Sequence, residues 1–135
     1  MAIHGWRHPF RQESWAALGV RYEALAAGDE RYRPLGLIVR SVIEGEATGV
    51  LAGCTSHDDL MVVPVPIEDP PYGFVRVRLL ESRRGPLARE RIVIEHLSVT
   101  GHDEKLERPA ADAVPLFWRF MIEKFGVVAV RQPIR

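Results

Sequence analysis

Residues 112–126 read DAVPLFWRFMIEKFG, and this stretch decides the fold that the rest of the chain accommodates. Large apolar side chains recur in it at intervals of three and four residues, the period of an α-helix with one buried face. Asp112 is a suitable N-cap, and Gly126 can adopt the left-handed conformation that ends a helix. The pattern predicts a C-terminal helix that packs on the core. Its apolar stripe consists of Val114, Phe117, Trp118, Met121, Ile122 and Phe125.

Two further apolar residues of this helix, Leu116 and Phe120, are predicted to point away from the stripe, at about 100° per residue. A helix buried on one face normally carries polar residues at such positions. Two explanations are open. Either the N-terminal segment with Trp6 and Phe10 covers both side chains, or they form the centre of an interface with a second chain, most simply in a two-fold homodimer. The interface is favoured because short N-terminal segments are usually poorly held.

The 135 residues fit one globular domain over 1–135, with 47% hydrophobic and 27% charged residues. No apolar run approaches the roughly 20 residues of a membrane-spanning helix, so no membrane partner is expected. The first nine residues lack the apolar centre of a signal peptide, and Cys54 is the single cysteine. We therefore expect a cytoplasmic protein without an internal disulfide.

The predicted fold class is α+β: a mainly antiparallel sheet of about five strands, with an N-terminal and a C-terminal helix packed mostly on one face. A first helix is predicted from the apolar period of residues 12–27. Glycine in the segment 44–47 suggests a tight hairpin turn. Strands are predicted at 35–43, 47–54, 60–67, 74–80 and 91–99, with a loop at 81–90 and a short last strand at 127–130.

The formal net charge is +0, which argues against a nucleic-acid partner held by bulk attraction. The charges are nevertheless unevenly distributed, because residues 41–75 contain no lysine or arginine whereas residues 76–91 contain six arginines. We expect these two segments to attract each other, within the sheet or between subunits. Arg76 and Arg78 are therefore candidate interface residues.

Histidine and aspartate residues in the predicted loops are the candidate ligands of a metal or a small molecule. If the loop with His57 and Asp58 lies at the same sheet end as the loop with His102 and Asp103, together with His96 they could hold a divalent ion. No two histidines have a ligand spacing, however, and such pairs are also common turn residues. No resident metal or cofactor is predicted.

No residue is assigned as catalytic. The sequence lacks the G-x-S-x-G, G-x-x-x-x-G-K-[ST], G-x-G-x-x-G and H-E-x-x-H motifs. Cys54 lies three residues before His57, but a nucleophile and its base are normally brought together by the fold, so a small buried thiol is the preferred interpretation.

Two function classes remain open. The first is a non-enzymatic interaction, assembly or accessory protein, such as an adaptor or immunity-type subunit, whose partner is another protein or a second copy. The alternative is a small enzyme or ligand-binding domain with a pocket between the sheet and the C-terminal helix, lined by Phe117 and Trp118. The absence of catalytic motifs favours the first class.

Overall fold

The computed structural model describes residues 5–80 and 91–130, and their α+β arrangement with an antiparallel sheet confirms the predicted class. Helix α1 (Trp15–Gly28) is followed by a short 3-10 helix (Glu30–Tyr32) and helix α2 (Arg33–Glu44). The strands are β1 (Leu51–Ser56), β2 (Asp59–Pro64), β3 (Phe74–Leu79), β4 (Arg91–Leu97) and β5 (Glu104–Pro109). Helix α3 (Ala113–Phe120) comes last and continues as a π-helical turn (Met121–Phe125).

The sheet is a meander in which each strand pairs with the next, in the order β1-β2-β3-β4-β5. The β1–β2 turn is formed by His57 and Asp58, whose φ angles of 52° and 67° allow a tight two-residue hairpin connection. Connections in an antiparallel meander alternate between the two ends of the sheet. The β1–β2 turn and the β4–β5 turn therefore lie at opposite ends.

The main hydrophobic core joins buried residues of all three helices to alternate residues of the strands. Trp15 and Leu18 of α1 lie directly over Gly53 of β1, where a Cβ atom would stand 2.8 Å from Leu18 Cδ1 and 2.9 Å from Trp15 Cη2. The indole N–H of Trp15 donates a hydrogen bond of 2.8 Å to the Leu51 carbonyl, which fixes α1 on β1. The strand residues of this core are Leu51, Leu60, Val62, Val75, Val77, Ile92 and Ile94.

A second hydrophobic cluster uses strand residues of the opposite parity and is covered by the N-terminal segment. Trp6 and Tyr72 exchange backbone hydrogen bonds of 2.9 and 3.2 Å, and the Tyr72 hydroxyl donates to the His8 carbonyl. The N-terminal segment is thus held on the sheet, not over α3. The buried residues of this cluster are Ala52, Cys54, Met61, Val63, Tyr72 and Phe74.

The strand predicted at 35–43 is wrong, because this segment forms α2. Its buried residues have helical spacing, whereas Leu37 and Ile43, which suggested a strand alternation, are 40% and 43% exposed. Pro34 lies in the first turn of α2, where a missing backbone N–H leaves no hydrogen bond unmade. The predicted hairpin turn at 44–47 is therefore the connection between α2 and β1. The buried positions of α2 are Pro34, Leu35, Ile38, Val39, Ser41 and Val42.

The C-terminal part of the sheet also differs from the prediction. β5 lies in a segment where the sequence predicts no strand, because its charged residues hide the strand period. Residues 127–130 form no strand, although the helix ends as predicted at Gly126, with φ of 66°. The loop predicted at 81–90, with Arg83, Arg84 and Arg89, lies outside the described residues.

Candidate functional site

The candidate metal ligands are not brought together. His57 and Asp58 lie in the β1–β2 turn, whereas His102 and Asp103 lie in the β4–β5 turn at the other end of the sheet. His96 is near that second end, opposite Glu104 of β5. Within residues 5–80 and 91–130, no group of three or more histidine, cysteine or acidic residues is placed to hold a metal ion.

The two aspartates of these turns have structural contacts. Asp58 accepts a hydrogen bond of 2.8 Å from Arg21, and its backbone carbonyl accepts one from the Tyr22 hydroxyl. Both donors belong to α1, so the β1–β2 turn anchors this helix. Asp103 accepts a hydrogen bond of 2.8 Å from the backbone N–H of Ser98 and thereby closes the β4–β5 turn.

Half-buried His96 lies beside a small cleft between the sheet and the C-terminal helix. Its ring contacts Phe125 edge-on, with centroids 5.9 Å apart. Burial and the nearby charge of Lys124 lower the pKa of His96 below its ordinary value. Lys124 itself is held by an ion pair of 2.6 Å with Glu104. The cleft has a volume of about 280 Å³ and is lined by Val63, Pro64, Glu68, Tyr72, Gly73, Lys124 and Phe125.

Cys54 is buried as predicted, with 8% of its surface exposed, and belongs to the cluster under the N-terminal segment. Burial, with a smaller contribution from Glu13, raises the pKa of the thiol from 9.0 to about 11. A thiol with so high a pKa carries almost no thiolate at neutral pH, and this disfavours a nucleophilic role.

Arg76 and Arg78 converge on one carboxylate on the same side of the sheet. Glu95 Oε1 lies 2.7 Å from Nε and 2.6 Å from Nη2 of Arg76, and 3.3 Å from Nε of Arg78. Glu95 is only 7% exposed, so its charge depends on this pair of guanidinium groups. Both arginines thus pair with a carboxylate of β4, because antiparallel pairing places Arg76 opposite Glu95.

Leu116 and Phe120 do not have the predicted outward orientation. They are 8% and 1% exposed, and both belong to the main core. The buried face of α3 is rotated toward them, so that Trp118 is half-buried and Ile122 is 51% exposed. Their burial removes the observation on which a contact with a second chain rested.

A long groove that the sequence patterns do not predict lies between the outer faces of α1 and α2, and we call it the helix groove. It has a volume of about 710 Å³, and each wall follows the i, i+3, i+4, i+7 period of one helix. The α1 wall consists of Ala16, Gly19, Val20, Glu23, Ala26 and Ala27. The α2 wall consists of Arg33, Gly36, Leu37, Arg40, Ile43 and Glu44.

The groove is apolar along its length because α1 is apolar on nearly all sides. Only Trp15, Leu18 and Tyr22 of this helix are buried, and only Arg21 and Glu23 of its 14 residues are charged. On the groove walls, Val20 is 68% exposed and Leu37 is 40% exposed. This composition was a signal in the sequence, because a helix that is apolar all round is normally covered on every side.

Apart from Glu44 at the end of α2, the charged residues of the groove are segregated by wall. Glu23 lies on the α1 wall, with Glu30 just beyond it, whereas Arg33 and Arg40 lie on the α2 wall. None of these four side chains forms an ion pair with another residue of the described part of the chain. The groove therefore has an acidic and a basic side, with an apolar floor between them.

The sequence matches no protein-family model, and no curated protein and no solved structure is significantly similar to the chain. Of the helices that the structure describes, none combines the length and the apolarity needed to cross a membrane.

Proposed function

We propose that this is a non-enzymatic assembly protein that binds an α-helical surface of another protein chain in the helix groove. The observation that carries the proposal is the exposed apolar face of α1, the helix that is otherwise docked firmly on β1. A groove lined by two parallel apolar stripes suits a helical occupant, whose own side chains repeat with the same period.

Three features support a protein occupant over a small molecule. Exposed alanines on the α1 wall, such as Ala16 and Ala27, let another helix approach closely. The charges lie along the sides, as at the rim of a protein interface, and do not converge on one point of the floor. Cys54 is free and buried, which fits a cytoplasmic protein, and that location belongs to the proposal.

Photo-crosslinking in cells that express the chain tests this function. A photoreactive residue at position 20, on the α1 wall, is expected to form a covalent adduct with a protein. The same residue at position 50 is the control, because Val50 is as exposed as Leu37 but lies outside the groove. Leu37→Glu should abolish the adduct from position 20, since a charge in the apolar part of the α2 wall opposes burial of that wall. Equal crosslinking from both positions, or none from position 20, would contradict the proposal.

The cleft beside His96 supports ligand binding as a second candidate function. It lies between the sheet and the C-terminal helix, and an imidazole with a lowered pKa beside a cationic side chain is typical of functional clefts. A small anionic ligand bound beside Lys124 would raise the pKa of His96. Imidazole NMR titrations with and without a library of small carboxylates and phosphates measure this directly, and an unchanged His96 titration across the library argues against the candidate.

A further inference from the structure

We infer that the occupant of the helix groove is the helix groove of a second copy of this chain. The inference rests on the proposed function and identifies its partner. Its basis is the charge pattern of the groove, in which Glu23 of α1 and Glu30 of the following 3-10 helix are acidic, whereas Arg33 and Arg40 of α2 are basic. Arg33 and Arg40 are seven residues apart, which is about two helical turns, so they lie in one row on α2.

The two walls of the groove belong to antiparallel neighbours. α1 and α2 are joined by the short helix Glu30–Tyr32, and a Cβ atom at Gly36 would lie 3.5 Å from Tyr22 Cβ, so the helices pack side by side. Facing the groove, one side of this hairpin is acidic and the other is basic. Such a surface is complementary to itself if a partner presents its α2 to α1.

A two-fold axis parallel to the helices produces that arrangement. Rotation about this axis places α1 of one copy across from α2 of the other, in antiparallel orientation, so that Glu23 and Glu30 face the partner's arginines. A two-fold axis perpendicular to the helices, in the plane of the groove, would instead place α1 of one copy against α1 of the other. Like charges would then lie close together, which opposes association. The favoured assembly is an antiparallel four-helix arrangement, in which every adjacent pair of helices is antiparallel.

The apolar residues of the walls fit the same arrangement. Val20 and Leu37 are exposed in the single chain, and here the α1 wall with Val20 packs against the α2 wall of the partner, which carries Leu37. Glu44, at the end of α2, is the one acidic residue on the basic wall. A central apolar patch bounded by charges of both signs is the usual anatomy of a specific dimer interface.

Charge reversal tests the inference. The variant E23R/E30R makes both walls basic, and the variant R33E/R40E makes both walls acidic. Each variant alone is expected to weaken dimerisation about 100-fold or more, because like charges then face each other across the interface. An equimolar mixture of the two should form a heterodimer of two 15.2 kDa chains, because every facing pair is again of opposite sign. Analytical ultracentrifugation measures the masses, and circular dichroism checks that each variant is folded.

The control variant D69R/D112R changes the net charge as much as E23R/E30R but on exposed residues outside both the groove and the cleft, and it should remain dimeric. A wild-type chain that stays monomeric at all concentrations overturns the inference, as do variants that dimerise like the wild type. Crosslinking from position 20 distinguishes a failure of the homodimer inference from a failure of the proposed function. An adduct with a different protein leaves the proposed function standing without the homodimer, whereas no adduct removes both.

Discussion

Glu95 shows how one buried charge organises its surroundings. Its carboxylate lies between Arg76 and Arg78, which are still 32% and 24% exposed, so the burial penalty falls mostly on the acid. A buried charge is tolerated when it is paired, but the loss of one partner leaves the rest uncompensated. Glu95 therefore acts as the counter-charge that allows two arginines to lie side by side on one strand.

Replacement of Glu95 by alanine should lower the free energy of unfolding by about 2–3 kcal/mol, because the two guanidinium groups then repel each other and lose their strong acceptor. Urea denaturation measures the change. The control is Glu123→Ala, which removes an exposed i,i+4 partner of Arg119 and should cost less than about 0.5 kcal/mol. Similar losses in the two variants would mean that the buried cluster is no stronger than a surface pair.

Alkaline pH should destabilise the protein through its buried thiol and phenols. Burial raises the pKa of Cys54 from 9.0 to about 11 and that of Tyr72 from 10.0 to about 12, and it also raises the pKa of Tyr22. The folded state thus holds these groups protonated, while the unfolded chain loses their protons at the ordinary values. Their contribution to stability is present below about pH 9 and is lost as the pH rises toward 11 and 12.

Thermal melts between pH 7 and 11 should show this decline, provided that ionic strength is constant. Cys54→Ala removes the loss of stability that the thiol causes between pH 9 and 11. The melting temperature of this variant should therefore fall less over that range than that of the wild type. A melting temperature that is independent of pH over this range would contradict the assignment.

At the level of elements, α1 packs closely on β1 around Gly53. The indole of Trp15 cannot easily move aside, because its N–H is committed to the Leu51 carbonyl. Gly53→Ala should therefore cost about 1–3 kcal/mol in the free energy of unfolding, since the new methyl group meets Trp15 and Leu18 at less than 3.0 Å.

Gly49→Ala is the matched control for Gly53→Ala. A Cβ atom there has no neighbour within 4 Å, so the variant should be neutral or slightly stabilising. Urea midpoints measured side by side decide the comparison. If both alanine variants are as stable as the wild type, α1 does not pack on β1 at the described distance.

In helix α3, Phe117 is expected to contribute more to the free energy of unfolding than Trp118. Phe117 is fully buried, whereas half-buried Trp118 donates a hydrogen bond of 2.9 Å from Nε1 to the hydroxyl of Ser41. Phe117→Ala should cost about 3–5 kcal/mol and Trp118→Ala clearly less. Chemical denaturation of both variants checks the order, and a larger loss for Trp118→Ala would contradict the described orientation of α3.

The sequence predicts some of these elements better than others, for physical reasons. Helices α1 and α3 have apolar repeats that extend over three turns and end at glycine, so both helices can be predicted from the sequence. Residues 35–43 satisfy a helical and an alternating pattern at once, and the choice between them depends on tertiary burial of Ile38 and Val42. β5 is paired with β4 along its length, but its sequence is strongly charged. It therefore has no apolar alternation from which a strand could be predicted.

At the scale of the whole molecule, long-range placement determines the candidate sites. The histidine loops are separated because a meander sends successive turns to opposite ends, and residue types alone do not reveal the number of intervening strands. The helix groove also depends on α2 being a helix, so a strand prediction for residues 35–43 excludes it. In the sequence, the apolar circumference of α1 is the feature that indicates an uncovered surface.

Association through the helix groove should couple to stability. If two copies bury Val20 and Leu37 against each other, the melting temperature of the wild type should rise with protein concentration, since the dimer is favoured by mass action. Val20→Glu should lose this dependence while its melting temperature at low concentration changes little, because the residue is exposed in the single chain. Val50→Glu serves as the control, and a concentration dependence that survives in Val20→Glu would argue against the groove.

The indole bond between Trp15 and Leu51 also has a consequence for synthesis of the chain. α1 leaves the ribosome 36 residues before the carbonyl that fixes it, which at a translation rate of about 5–20 residues per second is a delay of roughly 2–7 s. During this interval the nascent helix exposes its whole apolar circumference, with only α2 available to cover part of it. Successive ribosomes on one messenger RNA expose the same hairpin one after another. Pairing of α1–α2 hairpins between adjacent ribosomes would cover that surface before the sheet exists, so assembly and folding would begin together.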